Sequence, residues 1–255
     1  MLKIIHHWWL AVLSAIVWWG MLIALLACWA AQGHPVYSWI TDRNKTILFI
    51  SDVAATNLQP IFISCSAVQG LLFVLALASE RLLRHNGRLL PNNRRREKWC
   101  SICAIVCAFV GQLGILFVSI FNTRYFSSTH SDFLVVFIVF VGVSSLFSIY
   151  EYFYLDKHYR DYLSIRWSLG IKCTWFITEL ALAIAFASTH NKHVNVSAVL
   201  EWLVSFVYPF YTLIIAYDLW PAHKTAKGTY LNKSYPDPFS QTLPDEMPIK
   251  EAYDA

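Results

Sequence analysis

The sequence predicts an all-α protein, a six-helix transmembrane bundle with both termini cytosolic, and three observations carry that prediction. Of 255 residues, 57% are hydrophobic and only 14% charged, against about 25% charged in an ordinary soluble domain. The hydrophobicity is gathered into uninterrupted runs instead of the period-2 or period-3.6 stripes of half-buried strands and surface helices. Basic residues, finally, keep to alternate connections between those runs.

A hydrocarbon layer about 30 Å thick needs about 20 apolar residues in a helix rising 1.5 Å per residue. The first run of that length, Trp8 to Ala30, follows Lys3 and has the outline of a secretory signal. It exceeds the apolar core of a signal, about 7 to 15 residues, and reads as a span. The others are Pro60 to Ala78, Trp99 to Phe121, Phe133 to Tyr154, Trp167 to Ser188 and Ala198 to Trp220. In lipid a backbone must satisfy its own hydrogen bonds, so each run is a helix; all are too long and too apolar for barrel strands. Trp8, Trp9, Trp29, Trp99, Trp167, Trp202 and Trp220 stand at the ends of runs, where amphipathic rings prefer the interface. Residues 1–220 therefore form one transmembrane domain. From Pro221 to residue 255 prolines, acids and small polar residues predict a disordered cytosolic tail.

The amino-terminal stub, the loop from Ser79 to Lys98, the loop from Leu155 to Arg166 and the tail together hold 15 basic residues, and the alternate loops hold 4. The positive-inside rule then puts both termini in the cytosol, with Lys172 left inside the fifth span to snorkel. The sequons at Asn44 and Asn195 fall on the outer side, Asn44 being the better glycosylation acceptor, whereas the one at Asn232 falls in the tail. The long first outer loop contains Thr46-Ile47-Leu48-Phe49-Ile50, an apolar stretch that predicts a cap on the outer mouth of the bundle.

Ionisable groups within spans are candidates for function. Glu179 lies halfway along the fifth span with no basic residue one turn away. Glu201 leads Ser205, Tyr208 and Thr212 down one face of the sixth, interrupted by the kinking Pro209. Ser144, Ser148 and Glu151 repeat that pattern on the fourth, with His130 and Asp132 at its outer end. Asp52, Asn57, His130, Glu179 and Glu201 are thus the candidate polar pocket for a lipid headgroup. The alternative role for each is an interhelical hydrogen bond worth about 0.6 to 2 kcal/mol. Arg94, Arg95, Arg96 and Lys98 form a juxtamembrane cluster that attracts anionic lipid at about 1 kcal/mol per residue, which fits a phosphoinositide contact as well as a topology signal. Cys100, Cys103 and Cys107 share one face of the third span. Their CxxC spacing lacks the second ligand pair a zinc site needs, and close packing competes with palmitoylation of Cys100. Ala104 with Ala108 and Cys107 with Gly111 are small-residue pairs suited to close helix approach. No nucleotide loop, nucleophile elbow, HExxH helix or nucleic-acid-binding fold is visible, so the sequence calls for no cofactor, no metal and no nucleic-acid partner.

Ile50-Ser51-Asp52 with Thr56-Asn57-Leu58-Gln59-Pro60, Phe121-Asn122-Thr123 with His130-Ser131-Asp132-Phe133, and Leu200-Glu201-Trp202 with Tyr217-Asp218-Leu219 resemble the Frag/DRAM/Sfk family of polytopic membrane proteins, especially its fungal members. The resemblance spans roughly Trp8 to Trp220. It implies a protein of the plasma membrane or endomembranes (endoplasmic reticulum, Golgi, vacuole or lysosome) tied to lipid organisation, phosphoinositide signalling, autophagy or GPI-anchor remodelling. Asn122 stands where the family usually carries an acid, which removes a charge-based role there. The family resembles regulators more than enzymes and supplies no catalytic set. The reading is thus a non-catalytic regulator whose partners are membrane lipids, phosphoinositides among them, and a cytosolic protein met through the basic loop or tail. The alternative is a lipid-processing enzyme of GPI-remodelling type, or a lipid transporter, using the outer polar groups. A channel is disfavoured, since no span carries a polar stripe from end to end.

Overall fold

The computed structural model describes residues 6–41, 44–92, 94–190 and 192–231. Seven α-helices follow one another, and no strand occurs among the described residues: α1 Trp8–Ala31, α2 Ile50–Ala54, α3 Gln59–His85, α4 Arg95–Ile120, α5 Ser127–His158, α6 Leu163–Thr189 and α7 Val194–Leu219, closed by a 3-10 turn, Trp220–His223. All but the short α2 are long and apolar enough to cross a bilayer. They outrun the apolar cores read from sequence. α5 has 32 residues, about 48 Å at 1.5 Å per residue, because Glu, Lys and Arg continue a helix readily once it leaves the lipid.

The six spans close into a ring in which α1 packs on α3, α3 on α4, α4 on α5, α5 on α6, α6 on α7 and α7 back on α1. Leu71, Phe109, Val135 and Ile177 point outward as the lipid-facing belt. α4 and α5 form the most extensive seam, and the small residues of α4 explain it. Ala104, Ala108, Gly111 and Gly114 are buried there, and the Ser144 hydroxyl donates to the Ala104 carbonyl at 2.7 Å. α6 is the span most open to lipid, with 11% of its apolar window buried.

Pro209 lies inside α7 and has no N–H for the Ser205 carbonyl one turn back. The Trp18 indole supplies the missing donor, reaching Ser205 O at 2.8 Å. Trp19 and Trp175 donate likewise to Phe206 O and Val207 O, at 2.9 and 3.1 Å. Below the kink the Tyr208 hydroxyl accepts from the amides of Gln69 (3.0 Å) and Gln112 (2.8 Å), joining α3, α4 and α7 at mid-bundle. These indoles and amides satisfy polar groups that the hydrocarbon cannot.

The two ends of the ring differ. One, here the basic end, carries the loop 86–94, the α5–α6 turn and the chain after α7. Residues 225–230 dock there, with Gly228 N on Asn86 O and Tyr230 N on Gly87 O at 2.9 and 3.0 Å. At the far end the stretch 45–54 lies on the bundle. Leu48 and Val53 are fully buried, and Asn195 Oδ1 accepts the backbone N–H groups of Thr46 and Ile47 at 2.8 and 3.0 Å. Trp202 Nε1 donates to Leu48 O at 3.0 Å. This uses the Asn195 side chain, so that sequon is a structural joint, whereas Asn44 is exposed in a turn. The sequon at Asn232 and the predicted disorder of the tail beyond residue 231 lie outside the described residues.

Candidate functional site

The far end opens into a vestibule of about 290 Å³ walled by residues from the first loop, the α4–α5 loop, α5, α6 and α7. Asp52, His130 and Glu201 all line it, together with Lys45, Arg124 and His190. Both carboxylates are held by near neighbours. Asp52 accepts the Phe49 N–H at 3.1 Å, a helix-start contact that orients it, and forms an ion pair with Lys45. Glu201 Oε2 accepts the Ile50 N–H at 2.7 Å, which pins α2 over α7. His130 sits within 2.9 Å of Val118 O and 2.8 Å of Phe121 O through Nδ1. Two carbonyl acceptors require a proton on that nitrogen, so in the neutral ring Nε2 carries the lone pair.

From the vestibule a second cavity descends inside the ring along α5, α6 and α7, with Trp18, Phe62, Ile115 and Val118 closing its other side, and it shares Ser51, Leu134, Phe186 and Glu201 with the first. A third continues from it past Phe137, Ile138, Ala183 and Val204 to Glu179 and Tyr208. The three form one cleft that is polar at its mouth and apolar below, running from the far end to mid-bundle. Glu179 is half-buried at the bottom, and its Oε1 has no hydrogen-bond partner among the described residues. Four of the five pocket residues named from the sequence therefore share this cleft. The fifth does not, since Asn57 is exposed in the turn before α3 and lines none of the three cavities. The backbone leaves α2 at Ala55 and carries Asn57 outward.

At the basic end Arg94, Arg95, Arg96 and Lys98 are exposed, while Glu97 is buried and its Oε2 accepts the Arg94 N–H at 3.2 Å. Cations in the first turn oppose the helix dipole, at about 0.3 to 1 kcal/mol each. Helix stability therefore does not explain the three arginines. Cys100 is buried, which favours packing over acylation.

A buried ionic network beneath this surface escapes sequence reasoning. Arg84, which falls in the predicted loop from Ser79 to Lys98, is instead in the last turn of α3 and is buried. Its Nη2 meets Glu80 at 2.8 Å, its Nη1 meets Leu90 O at 3.0 Å and its Nε approaches Glu151 at 3.6 Å. Tyr152 donates to Glu80 at 2.6 Å, and Asn92 to Glu151 at 2.7 Å. Lys172 does not snorkel. It is fully buried, 2.6 Å from Asp218 and 3.1 Å above the Tyr152 ring. Glu80, Arg84, Glu151, Lys172 and Asp218 thereby tie α3, α5, α6 and α7 together. The sequence signal is the presence of ionisable residues near span ends on four helices; which of them meet depends on helix order around the ring.

The family described as the Frag1/DRAM/Sfk1/Cwh43P N-terminal domain matches residues 6–222. Protein SFK1 of Saccharomyces cerevisiae is 29% identical over 284 residues, covering 86% of this chain and 80% of the relative. Protein sfk1 of Schizosaccharomyces pombe is 26% identical over 247 residues, covering 91% of this chain and 74% of the relative. No solved structure matches the chain.

Proposed function

The chain belongs to the Frag1/DRAM/Sfk1/Cwh43P N-terminal domain family, and from that premise we propose that it is a non-catalytic, multi-pass regulator of membrane lipid organisation that holds a lipid in the cleft between α5, α6 and α7. The observation that carries this reading is the gradient along the cleft. Polar groups line the mouth at the far end, and Phe137, Ile138, Ala183 and Val204 line the depth. A headgroup and an acyl chain match that order, and α6, the least buried wall, offers a lateral way in from the bilayer.

Plugging the groove tests it. Ala183 lines both deeper cavities, so the side chain of Ala183→Trp would occupy cleft space. The expected result is a loss of about ten-fold or more in labelling by a phospholipid with a photoreactive tail, the factor that about 1.4 kcal/mol of lost contact produces. The melting temperature should stay near that of the parent. A deletion strain carrying the variant should show the altered lipid profile of the deletion itself. Full labelling with a restored profile would end the proposal.

The exposed arginines give this reading its cytosolic side, in the orientation set by the positive-inside rule. Arg94→Gln, Arg95→Gln and Arg96→Gln together should remove about 3 kcal/mol of attraction to anionic headgroups. Retention of a fluorescent phosphoinositide by the purified protein should therefore fall to its high-salt level already at low salt. Retention that ignores both salt and mutation assigns these residues to topology alone. Contact with a cytosolic partner through this loop, and a setting in phosphoinositide signalling or autophagy at the plasma membrane or endomembranes, belong to the same proposal.

One observation favours a second reading, a lipid-processing enzyme or transporter. His130 is locked through Nδ1 with no partner for Nε2 among the described residues, an arrangement suited to proton transfer. His130→Asn keeps a donor for the two carbonyls and removes Nε2. Loss of all function in that variant, with function intact after the arginine substitutions, would favour the enzyme.

A further inference from the structure

The charges at the mouth of the cleft are unequally committed. Lys45 is spent on Asp52, and Glu201 on the Ile50 N–H. Arg124 differs. Its guanidinium lies 4.5 Å from the Trp39 ring centre and 4.9 Å from that of Tyr125. Such ring contacts hold the plane of a guanidinium while leaving its N–H groups free to donate. No carboxylate pairs with it among the described residues. Two neutral groups beside it are also unspent, since the Trp39 Nε1 and Thr123 Oγ1 atoms are buried without a hydrogen-bond partner among the described residues, and both residues line the vestibule with Arg124.

The loop that presents Thr123 and Arg124 is fixed from below. Asn122 Oδ1 accepts the Tyr125 N–H at 3.1 Å, and Asn122 Nδ2 donates to Gln59 Oε1 at 3.1 Å. Gln59 Nε2 in turn donates to the Ser119 and Ile120 carbonyls at the end of α4, at 3.1 and 2.9 Å. Asn122 is thus a positioning residue. An uncommitted cation at the exposed rim stands beside a buried hydroxyl and a buried indole N–H; together they form a donor set in want of acceptor oxygens, and leaving the two buried donors without acceptors is costly.

We propose that Arg124, Thr123 and Trp39 form a phosphate subsite, holding the phosphodiester oxygens of a phospholipid whose acyl chain runs down the groove toward Glu179. The assignment rests on the lipid-holding reading of the cleft and adds the headgroup class. Arginine supplies paired donors in the geometry of phosphate oxygens, and the apolar walls below supply the affinity a free anion would lack.

The full chain in detergent, titrated with phosphatidylglycerol, diacylglycerol and inorganic phosphate, tests both levels. Phosphatidylglycerol should bind at least about ten-fold more tightly than either other probe, since one charge-assisted hydrogen bond is worth about that factor. Arg124→Ala should abolish that preference, and Arg124→Lys should restore only part of it. Trp39→Phe, which keeps the ring and loses the N–H, should weaken phosphatidylglycerol alone. Equal binding of phosphatidylglycerol and diacylglycerol, unmoved by Arg124→Ala, overturns the phosphate subsite and leaves the lipid cleft standing. Inorganic phosphate binding as tightly as phosphatidylglycerol overturns the lipid assignment in favour of a free-anion site. No binding of either lipid, with Ala183→Trp matching the parent, overturns the cleft itself.

Discussion

Replacing Lys172 by methionine is expected to cost the bundle about 3 to 5 kcal/mol, the usual penalty for leaving one member of a buried ion pair alone. Lys172 and Asp218 have side chains 0% and 3% exposed, so water cannot stand in for the lost ammonium. The same ammonium covers the Tyr152 ring, whose hydroxyl serves Glu80, and the loss therefore spreads to α3. Unfolding of the purified protein in mixed micelles measures it. The double variant Lys172→Met with Asp218→Asn should recover more than half of the loss, because both charges are then gone. A single variant as stable as the parent would mean that the pair does not hold α6 to α7.

Gly114→Leu is the second large effect. A Cβ at this position would lie 2.9 Å from Phe137 N and 3.1 Å from Phe137 Cα, backbone atoms that move only if α5 moves. Alanine alone should cost about 1 to 3 kcal/mol as overpacking; leucine should drive α4 and α5 apart and break the Ser144–Ala104 hydrogen bond. Gly142, with nothing within 4 Å of its Cβ position, is the control, and Gly142→Ala should melt with the parent. Similar melting of all three variants would show that the α4–α5 seam tolerates separation.

Sequence legibility follows from the range of the interactions involved. The spans are set by local composition, so each run from Trp8 to Trp220 reads correctly, while its ends do not. Arg84 and Lys157 are as content in a helix as in a loop, and only the fold says which. The stripe Glu201, Ser205, Tyr208 and Thr212 is legible because a polar face in lipid must turn inward. What it meets there, Ile50, Trp18 and the two glutamines, is not, since those contacts close across the ring. Asn57 and Asp52 look alike in sequence, five residues apart in one polar cluster. The two short turns of chain between them send one into the vestibule and the other to the surface. The ionic network at the basic end is the extreme case: residues read singly as a loop arginine and a snorkelling lysine enter one network around the Tyr152 ring through helix order alone. Asn122 reads as a lost charge and acts instead as the brace of a loop.

The closure of the ring between its first and last spans has a consequence for biosynthesis. Trp18 and Ser205, which meet at the kink, are 187 residues apart. At a ribosomal rate of roughly 5 to 20 residues per second, on the order of ten to forty seconds separate their emergence. Throughout that interval the nascent chain lacks the Ser205 acceptor for the Trp18 indole and the closing face of α7, an incompletely packed state prone to misassembly. Stop codons within α7 should therefore yield products cleared by degradation, even though five of the six spans are already made.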